Sequence, residues 1–387
     1  MKHFDLVIIG AGMVGLALAA QLKNSSLNIA LIEQAEPHIP PEQISYRVSA
    51  LNLASEKLLR DVGSWQHINR ATPYQTMKVW EQDSFAKIDF DGQSLGRDHL
   101  GHIVENHLIQ RALWQQVEQQ NNAQIYFGVP QQVAVNENHA MLILQNGTML
   151  TSKLIVGADG AHSWLRKQAD IPLTFRDYGH YALVCNVQTD EPHQHCSRQI
   201  FSPDSVLAFL PLHQANLCSI VWSLPPEQAQ ALKVMDDNEF NKMLSVAFDQ
   251  QLGRCQVQTE RQIYPLTARY ARNFAQPRIA LIGDAAHTIH PLAGLGVNLG
   301  FQDAILLAEQ LEQYHQQALD IGLYRHLRYF ERQRKTEAVK YLLAMQGLKD
   351  LFSGDNPVKK LIRGIGLTAT NQLEIVKDQF IKQALGL

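Results

Sequence analysis

The sequence predicts a mixed α/β protein in which a parallel-sheet domain is interrupted by an inserted, mainly antiparallel β-sheet domain and followed by C-terminal helices. Three observations predict this. Apolar runs over Phe4–Ile9 and Ile29–Glu33 enclose a helical pattern, which is the strand–helix–strand order of a parallel sheet. Short alternating runs fill the middle of the chain. A further continuous apolar run, Arg278–Ile282, follows them, so the parallel sheet must be discontinuous in sequence.

The remaining elements follow from the spacing of apolar residues. Predicted helices cover residues 15–22, 49–62, 108–119, 298–314 and the region from 324 onward. Predicted strands cover residues 131–135, 140–144, 154–156, 181–187, 206–211 and 217–224. We therefore expect a discontinuous nucleotide-binding domain from residues 1–75, 100–175 and 270–320, an inserted substrate domain from 76–99 and 176–269, and a C-terminal helical region from 321–387.

Composition excludes several classes of protein. The 387 residues are 45% hydrophobic and 18% charged, which is typical of a folded protein with an ample core. A formal net charge of −3 gives no long-range attraction for nucleic acid, so we expect no nucleic-acid partner. The four cysteines have no CxxC spacing, which favours a reducing compartment. No run reaches the roughly 18 apolar residues of a spanning helix, so we expect a cytoplasmic protein, with peripheral attachment to the inner membrane as an option.

A glycine motif follows the first predicted strand. Gly10, Gly12 and Gly15 form GxGxxG, in which the first glycine permits the turn, the second lets the backbone approach a pyrophosphate, and the third allows close helix packing. Glu33 ends the second predicted strand, where its carboxylate can accept hydrogen bonds from an unphosphorylated ribose. The pattern predicts a Rossmann dinucleotide site. By itself, the motif fits FAD and NAD equally. The alternative without a function is a glycine turn whose spacing arises by chance.

Two later segments distinguish these cofactors. They are Gly157-Ala-Asp159-Gly160-Ala-His-Ser163-Trp-Leu-Arg166 and the long segment from Gly283-Asp284 through HPLAGLGVNLGFQD to Asp303. Both resemble signatures of the flavoprotein aromatic hydroxylases, the para-hydroxybenzoate hydroxylase class. The sequence of the second segment is similar to that of the ubiquinone-biosynthesis FAD-dependent hydroxylases. The resemblance extends over nearly the whole chain, including the segments 47–51, 104–106 and 384–387, and it implies FAD as the cofactor.

The second segment is expected to hold the flavin. Asp284, beside Gly283, follows a buried strand, so its carboxylate can accept hydrogen bonds from ribityl or ribose hydroxyls. The start of the next helix would place free amides and a positive dipole end near the charge of reduced flavin. The residues assigned to that loop and helix start are Pro291, which would stiffen the loop, and Gly294, Gly296, Val297 and Asn298. An ordinary glycine-rich turn is the alternative.

The resemblance assigns further residues to the cofactor site. Asp159 and Gly160 would couple the FAD and nicotinamide approaches, with Arg166 close by; alternatively, they form only a turn and Arg166 is a solvated helix charge. Arg47 and Asn106 match family positions near the flavin phosphates and ring. For Asn106, capping of the following helix is nearly as good an interpretation and is compatible with contact.

Two groups of closely spaced histidines could suggest a metal site. His287 and His290 are three residues apart, and His193, His195 and Cys196 cluster, but the first pair lies inside a flavin motif and the second set lacks a convincing fourth ligand. We therefore expect no metal. His290 and Pro291 are candidates for a role beside the flavin, with a structural hydrogen bond of His290 at least as good an interpretation. No substrate base can be named.

The resemblance also implies a reaction. An electron-rich phenol or benzoquinol ring bearing a polyprenyl tail would be hydroxylated with O2. NAD(P)H is the expected electron donor. Within the family, the sequence most resembles the hydroxylase that acts on a 3-methyl-6-methoxy-1,4-benzoquinol. Alternatives are hydroxylation at another ring carbon, a flavin reductase or dehydrogenase acting on another aromatic or prenyl substrate, and a non-catalytic scaffold. A quinone-biosynthesis complex is a possible partner. The basic, apolar segments 358–367 and 375–385 would either contact an anionic membrane or pack against the protein.

Overall fold

The computed structural model describes residues 2–37, 42, 44–84, 87–288 and 296–352, without the side chains of 344–346 and 348–352. The strands are β1 (Lys2–Ile9), β2 (Ile29–Glu33), β3 (Val48–Leu51), β4 (Ala71–Tyr74), β5 (Thr76–Glu81), β6 (Lys87–Asp91), β7 (Gly101–Glu105), β8 (Ala123–Phe127), β9 (Pro130–Val135), β10 (Ala140–Leu144), β11 (Met149–Gly157), β12 (Leu173–Thr189), β13 (Cys196–Ser202), β14 (Ser205–Pro211), β15 (Leu217–Leu224), β16 (Cys255–Val257), β17 (Gln262–Ala271), β18 (Ala275–Gln276), β19 (Ile279–Leu281) and β20 (His287–Thr288). The helices are α1 (Met13–Gln21), α2 (Leu53–Asp61), α3 (Asn106–Glu118), α4 (Trp164–Gln168), α5 (Pro226–Val234), α6 (Asp237–Ala247), α7 (Gly296–Gln316) and α8 (Tyr324–Phe352).

The first sheet has the order β18-β19-β11-β1-β2-β8, with β9 and β10 as an antiparallel extension. Its central strands β19, β11, β1, β2 and β8 are parallel to one another. They consist of continuous apolar runs because helices cover both faces of a parallel sheet. Leu6, Leu31 and Ile155, for example, are fully buried. The predicted parallel sheet assembled from distant parts of the chain is confirmed.

The second sheet has nine strands in the order β20-β17-β12-β15-β14-β13-β5-β6, with β16 paired to β12. Most of its pairs are antiparallel, and its strands alternate between two faces. On β12, Leu183 and Cys185 pack in a core with α5 and α6, whereas Ala182 and Val184 belong to a separate cluster that includes Tyr46. The mixed α/β class with a largely antiparallel inserted sheet is thus confirmed.

Helix α7 lies close against α1. A Cβ atom on Gly300 would be 2.6 Å from Cγ2 of Val14, so only glycine permits this approach. The same valine side chain lies 3.2 Å from the position of a Cβ on Gly283. The first and last motifs of the sequence therefore contact each other through Val14.

One predicted helix is partly wrong. Residues 49–62 read as helical, but Val48–Leu51 forms strand β3, which pairs with β7, and the helix begins only at Leu53. Asn52 caps it, since its side chain accepts a hydrogen bond of 2.9 Å from the backbone N–H of Ser55. Pairing with a distant strand overrides the local helical pattern, which periodicity cannot detect.

Helix α8 carries the C-terminal helical pattern as far as Phe352. The predicted segments 358–367 and 375–385 lie outside the described residues. In the part of the chain that the structure describes, no helix combines the length and the apolar character that crossing a membrane requires.

Candidate flavin site

The predicted motifs meet because four parallel strands end side by side. In the order β19, β11, β1 and β2, these strands lead into Asp284, Asp159, the GxGxxG loop and Glu33. The register pairs Ile9 with both Gly157 and Ile32, so the strand ends lie level. With about 4.8 Å between neighbouring strands, the four motifs span roughly 14 Å. The carboxyl edge of an open parallel sheet is where such folds bind ligands.

The three glycines of the first motif have different physical reasons. Gly10 has φ +103°, and a Cβ there would lie 2.5 Å from the carbonyl oxygen of Ala158. A Cβ on Gly15 would lie 2.0 Å from the carbonyl oxygen of Gly10. Gly12, by contrast, has φ −70°, and its Cβ would meet nothing within 4 Å. Packing of the protein does not require glycine at position 12, whereas the close approach of a phosphate does, so the loop fits a pyrophosphate.

Glu33 joins the second strand to this loop. Its Oε2 accepts a hydrogen bond of 2.7 Å from the N–H of Ala11, and its Oε1 accepts one of 2.7 Å from the N–H of Gln34. A carboxylate has about four acceptor positions, so two remain for ribose hydroxyls. The predicted ribose contact is compatible with these bonds and remains a prediction.

Only one of the two carboxylate oxygens of Asp159 has a hydrogen-bond partner among the described residues. Its Oδ2 accepts a hydrogen bond of 3.0 Å from the N–H of Leu165, in the first turn of α4. Its Oδ1 is buried without a hydrogen-bond partner among the described residues. Buried carboxylate oxygens nearly always have a partner, so this atom fits a donor supplied by a ligand or by its water. Gly160, with φ +78°, provides the turn beside it.

Arg166 is buried, and the alternative of a solvated helix charge is wrong. Its side chain donates to the carbonyl oxygens of Ala285, at 2.8 Å, and Ala161, at 2.9 Å. It therefore joins the Asp159 loop to the Asp284 loop. Burial lowers the pKa of Arg166, partly offset by the nearby Asp159 carboxylate. Arg269 donates to the same Ala161 oxygen, at 3.2 Å, and so adds a second contact from the antiparallel sheet.

Asp284 is exposed, yet its surroundings disfavour its charge. Desolvation by the surrounding protein raises the pKa of the carboxyl, although His287, Arg47 and Arg269 act in the opposite direction. Solvent access together with desolvation indicates a carboxyl in a concave part of the surface. A neutral sugar with several hydroxyl groups can satisfy such a carboxyl whether or not it is ionised, because hydroxyls donate and accept. Asp284 therefore fits the predicted sugar-binding role.

The carboxylate of Asp303 lies beneath this loop and was not among the predicted site residues. It is fully buried and accepts hydrogen bonds from the N–H of Gly283 at 2.8 Å, from Nε2 of His287 at 2.6 Å and from Nε of Arg334 at 2.6 Å. Burial alone would raise the pKa of Asp303, but His287 and Arg334 outweigh it and lower the pKa. A charged residue in an otherwise apolar helical stretch was the available signal.

The start of α7 is held by its neighbours. The side chain of Asn298 accepts from the N–H of Asn52 at 3.0 Å and from Oγ of Ser55 at 2.7 Å, and it donates to the carbonyl oxygen of Ala50 at 2.8 Å. These bonds position the helix on β3 and α2. Gly296 and Val297 form the first turn, where backbone amides remain candidates for contact with the flavin. His290, Pro291 and Gly294 lie outside the described residues.

Arg47 and Asn106 lie on neighbouring segments. The N–H of Asn106 donates to the carbonyl oxygen of Arg47 at 3.0 Å, and its side chain accepts from Oγ of Ser49 at 2.7 Å. The interpretation of Asn106 as a cap is wrong, because the helix cap is Glu105 and Asn106 is the first helical residue. The guanidinium of Arg47 lies 5.8 Å from the ring centroid of Tyr264. It is exposed, and so it is available to a phosphate or a sugar.

The histidines that could suggest a metal have other partners. His287 is bonded to Asp303. Nε2 of His193 lies 2.9 and 3.0 Å from the carbonyl oxygens of Leu212 and Gln214, and its Nδ1 accepts from the N–H of His195. These rings therefore make structural hydrogen bonds.

The fold, the convergent loops and the matches reported next show the class: the chain is an FAD-dependent monooxygenase. It belongs to the family described as FAD binding domain, which matches residues 3–334.

Comparisons with individual proteins agree with this class. The chain is 34% identical to the 3-demethoxyubiquinol 3-hydroxylase of Escherichia coli K12, over 99% of this chain and 98% of that protein. It is 32% identical to the mitochondrial ubiquinone biosynthesis monooxygenase COQ6 of Danio rerio, over 98% of this chain and 89% of that protein. Among solved structures, p-nitrophenol 4-monooxygenase of Pseudomonas putida matches with a TM-score of 0.80 at 19% identity, over 99% of this chain and 98% of that one. At that identity the match supports the fold alone.

The two glycines of the first motif separate folding from cofactor binding. We expect Gly12→Ala to leave the melting temperature of the FAD-free protein unchanged but to weaken FAD binding at least about tenfold, because the new methyl group meets only the pyrophosphate. Gly15→Ala should lower the free energy of unfolding by about 3 kcal/mol or more, because its methyl group meets backbone. Thermal melts and fluorescence titration with FAD test both. Equal effects of the two substitutions on the FAD-free protein would contradict this division.

Asp284→Ala should yield folded, largely FAD-free protein, because the carboxylate that would bind the sugar hydroxyls is removed. The measurement is the flavin content of the purified protein, read from its visible absorbance. Glu239→Ala, which removes an exposed carboxylate on α6, is the matched control and should retain FAD. Normal FAD content in the Asp284 variant would rule out the sugar-ligand role.

Asp303→Asn should destabilise the protein by about 3–5 kcal/mol, since the buried Arg334 loses its counter-charge. FAD content should also fall, because the amide of Asn offers one acceptor oxygen where the two carboxylate oxygens bind Gly283, His287 and Arg334. Chemical denaturation of the FAD-free protein measures the first effect. Glu337→Gln is the control, since its ion pair with Lys340 on α8 is solvent-exposed and should cost less than about 1 kcal/mol. Similar costs for both variants would show that Asp303 is not the central anchor.

Proposed function

We propose that this monooxygenase hydroxylates the ring of a polyprenylated benzoquinol in ubiquinone biosynthesis, at the step that acts on a 3-methyl-6-methoxy-1,4-benzoquinol. The observation that carries the proposal is the 34% identity to a 3-demethoxyubiquinol 3-hydroxylase along nearly the full length of both chains. The mitochondrial relative is almost as similar, at 32%. The quinone pathway therefore has broader support than the ring position.

The site suggests how this chain would hold its cofactor. The adenosine ribose would lie at Glu33, the pyrophosphate at the Gly10–Gly15 loop and the N-terminus of α1, and the ribityl chain at Asp284. The backbone amides of Gly296, Val297 and Asn298 would face the ring, where a helix N-terminus favours negative charge. When bound, FAD supplies the electron transfer and the activation of O2 that hydroxylation needs.

The residues of the chain would then hold the cofactor-site loops and the substrate ring in fixed positions. Arg166 keeps the Asp159 and Asp284 loops at a constant separation through its two carbonyl contacts. Arg269 ties the antiparallel sheet to the same loop, so an aromatic ring bound against that sheet would be held at a defined distance from the cofactor. Residues 76–99 and 176–269 would form this substrate domain, 1–75, 100–175 and 270–320 the FAD domain, and 321–387 the helical region.

The electron donor and the location complete the proposal. NAD(P)H would bind transiently, since the sequence contains one GxGxxG motif, with Asp159, Gly160 and Arg166 near its approach. A polyprenyl tail favours contact with the membrane surface through the basic, apolar segments beyond residue 357. A quinone-biosynthesis complex would give such an enzyme direct access to its substrate.

The proposal predicts a specific biosynthetic block. Cells that lack this chain should accumulate a prenylated precursor without one ring hydroxyl, and mass spectrometry of the precursor identifies the carbon. Restoring the wild-type chain or Glu239→Ala should restore the quinone, whereas Asp284→Ala should not. With purified enzyme and precursor, O2 uptake should match product formation; reduction of the substrate without O2 uptake would favour a flavin reductase. Unchanged quinone in a strain without a redundant hydroxylase would contradict the biosynthetic assignment.

A further inference from the structure

A second polar cluster lies apart from the strand ends that carry the flavin motifs. Glu56, on α2, faces two histidines, of which His99 precedes β7 and His102 lies within it. Oε2 of Glu56 is 2.9 Å from Nε2 of His99 and 3.1 Å from Nδ1 of His102. Among the described residues, these three form the set whose donor atoms all lie within 4.8 Å of one another. Both nitrogens contact the same carboxylate oxygen.

The donor set has the chemistry of a transition-metal site. Imidazole nitrogen and carboxylate oxygen are ordinary ligands of Zn²⁺, and in a tetrahedral site with bonds of about 2.0–2.1 Å, neighbouring ligand atoms lie about 3.3 Å apart. The two measured separations to Oε2 of Glu56 are only a few tenths of an ångström shorter. Small side-chain movements would therefore open the cluster enough to admit the ion.

His102 supplies the buried ligand of the cluster and His99 the accessible one. His102 is 8% exposed, and its Nδ1 lies 3.1 Å from Oε2 of Glu56. The carboxylate of Glu56 is therefore its partner, and a metal bound between the two side chains would replace this direct contact. His99, whose side chain is 25% exposed, provides an entry path from solvent.

Contrary to the expectation of no metal drawn from the sequence, we propose that Glu56, His99 and His102 form a Zn²⁺ site with a water molecule in the fourth position. Three protein ligands and a water make this an open site, unlike the four-ligand sites usual in structural zinc centres, but its position assigns it to holding two elements of the fold together. On helix α2, Glu56 lies one turn after Asn52 and directly after Ser55, the two residues that hold Asn298 at the start of α7. A bound metal would clamp α2 to β7 and thereby stabilise the anchor of the helix that begins beside the flavin site.

One charged neighbour must be accommodated. Arg60 contacts the other carboxylate oxygen of Glu56, Oε1, at 2.7 Å, and its own side chain is 53% exposed. It opposes a cation electrostatically, but it also fixes the orientation of the carboxylate, as a hydrogen-bonded neighbour of a metal ligand commonly does. Its guanidinium lies 4.7 Å from the ring centroid of Trp65, a position that it can keep when the metal binds.

The test is Zn²⁺ titration of the FAD-loaded protein after treatment with a chelator. We expect one Zn²⁺ per chain, a rise of a few degrees in melting temperature at saturation, and a visible Co²⁺ spectrum typical of tetrahedral coordination. His99→Gln and Glu56→Gln should each weaken binding at least about tenfold and abolish the Co²⁺ spectrum. His195→Gln, which alters a histidine of the other close pair, should match the wild type.

The outcomes are distinguishable. Melting temperature and FAD content without metal show whether each variant folds, and the half-buried His99 offers His99→Asn as a second, smaller substitution. Substoichiometric binding, or equal Zn²⁺ affinity in the wild type, His99→Gln and His195→Gln, would overturn the proposal. So would a cluster that binds no metal, which would identify it as an ion pair between Glu56 and protonated histidines.

Discussion

The buried carboxylate of Asp303 is the constraint on which the flavin site depends. It lies on α7, accepts the N–H of Gly283 from the end of β19, and pairs with Arg334 of α8. A charge in this interior is tolerated only because each of its oxygens has a strong donor. The loop that presents Asp284, the helix that begins beside the flavin site and the following helix are therefore positioned by one side chain.

Other buried polar groups extend this frame. Arg166 joins the loops of Asp159 and Asp284, and Asn298 joins α7 to β3 and α2. Both side chains form their hydrogen bonds with other protein groups. The groups left available are different ones, namely the exposed carboxylate of Asp284 and the unpaired Oδ1 of Asp159. This division between fixed supports and available contacts is what a preorganised cofactor site requires.

Sequence patterns predicted the positions of secondary-structure elements better than the long-range contacts of individual residues. The strands ending at Ile9 and Glu33 are where the apolar runs placed them, since a run buried on both faces has few alternatives. The start of α2 was missed because β3 exists only by pairing with β7. Arg166 could be interpreted as a surface charge because its acceptor, Ala285, is 119 residues away.

By itself, the sequence determined the class of fold and a dinucleotide site, because glycine spacing and strand-end carboxylates express local backbone requirements. The choice of FAD over NAD came from the resemblance of the two later segments to flavoprotein signatures. The sequence also located the motifs at the ends of strands. Only the tertiary structure decided which charges are buried and what they bind: the role of Asp303, the link made by Arg166, and the approach of Glu56 to His99 across 43 residues. The physical reason is that burial and hydrogen-bond partnership arise when distant segments pack, and no local pattern records which segments those are.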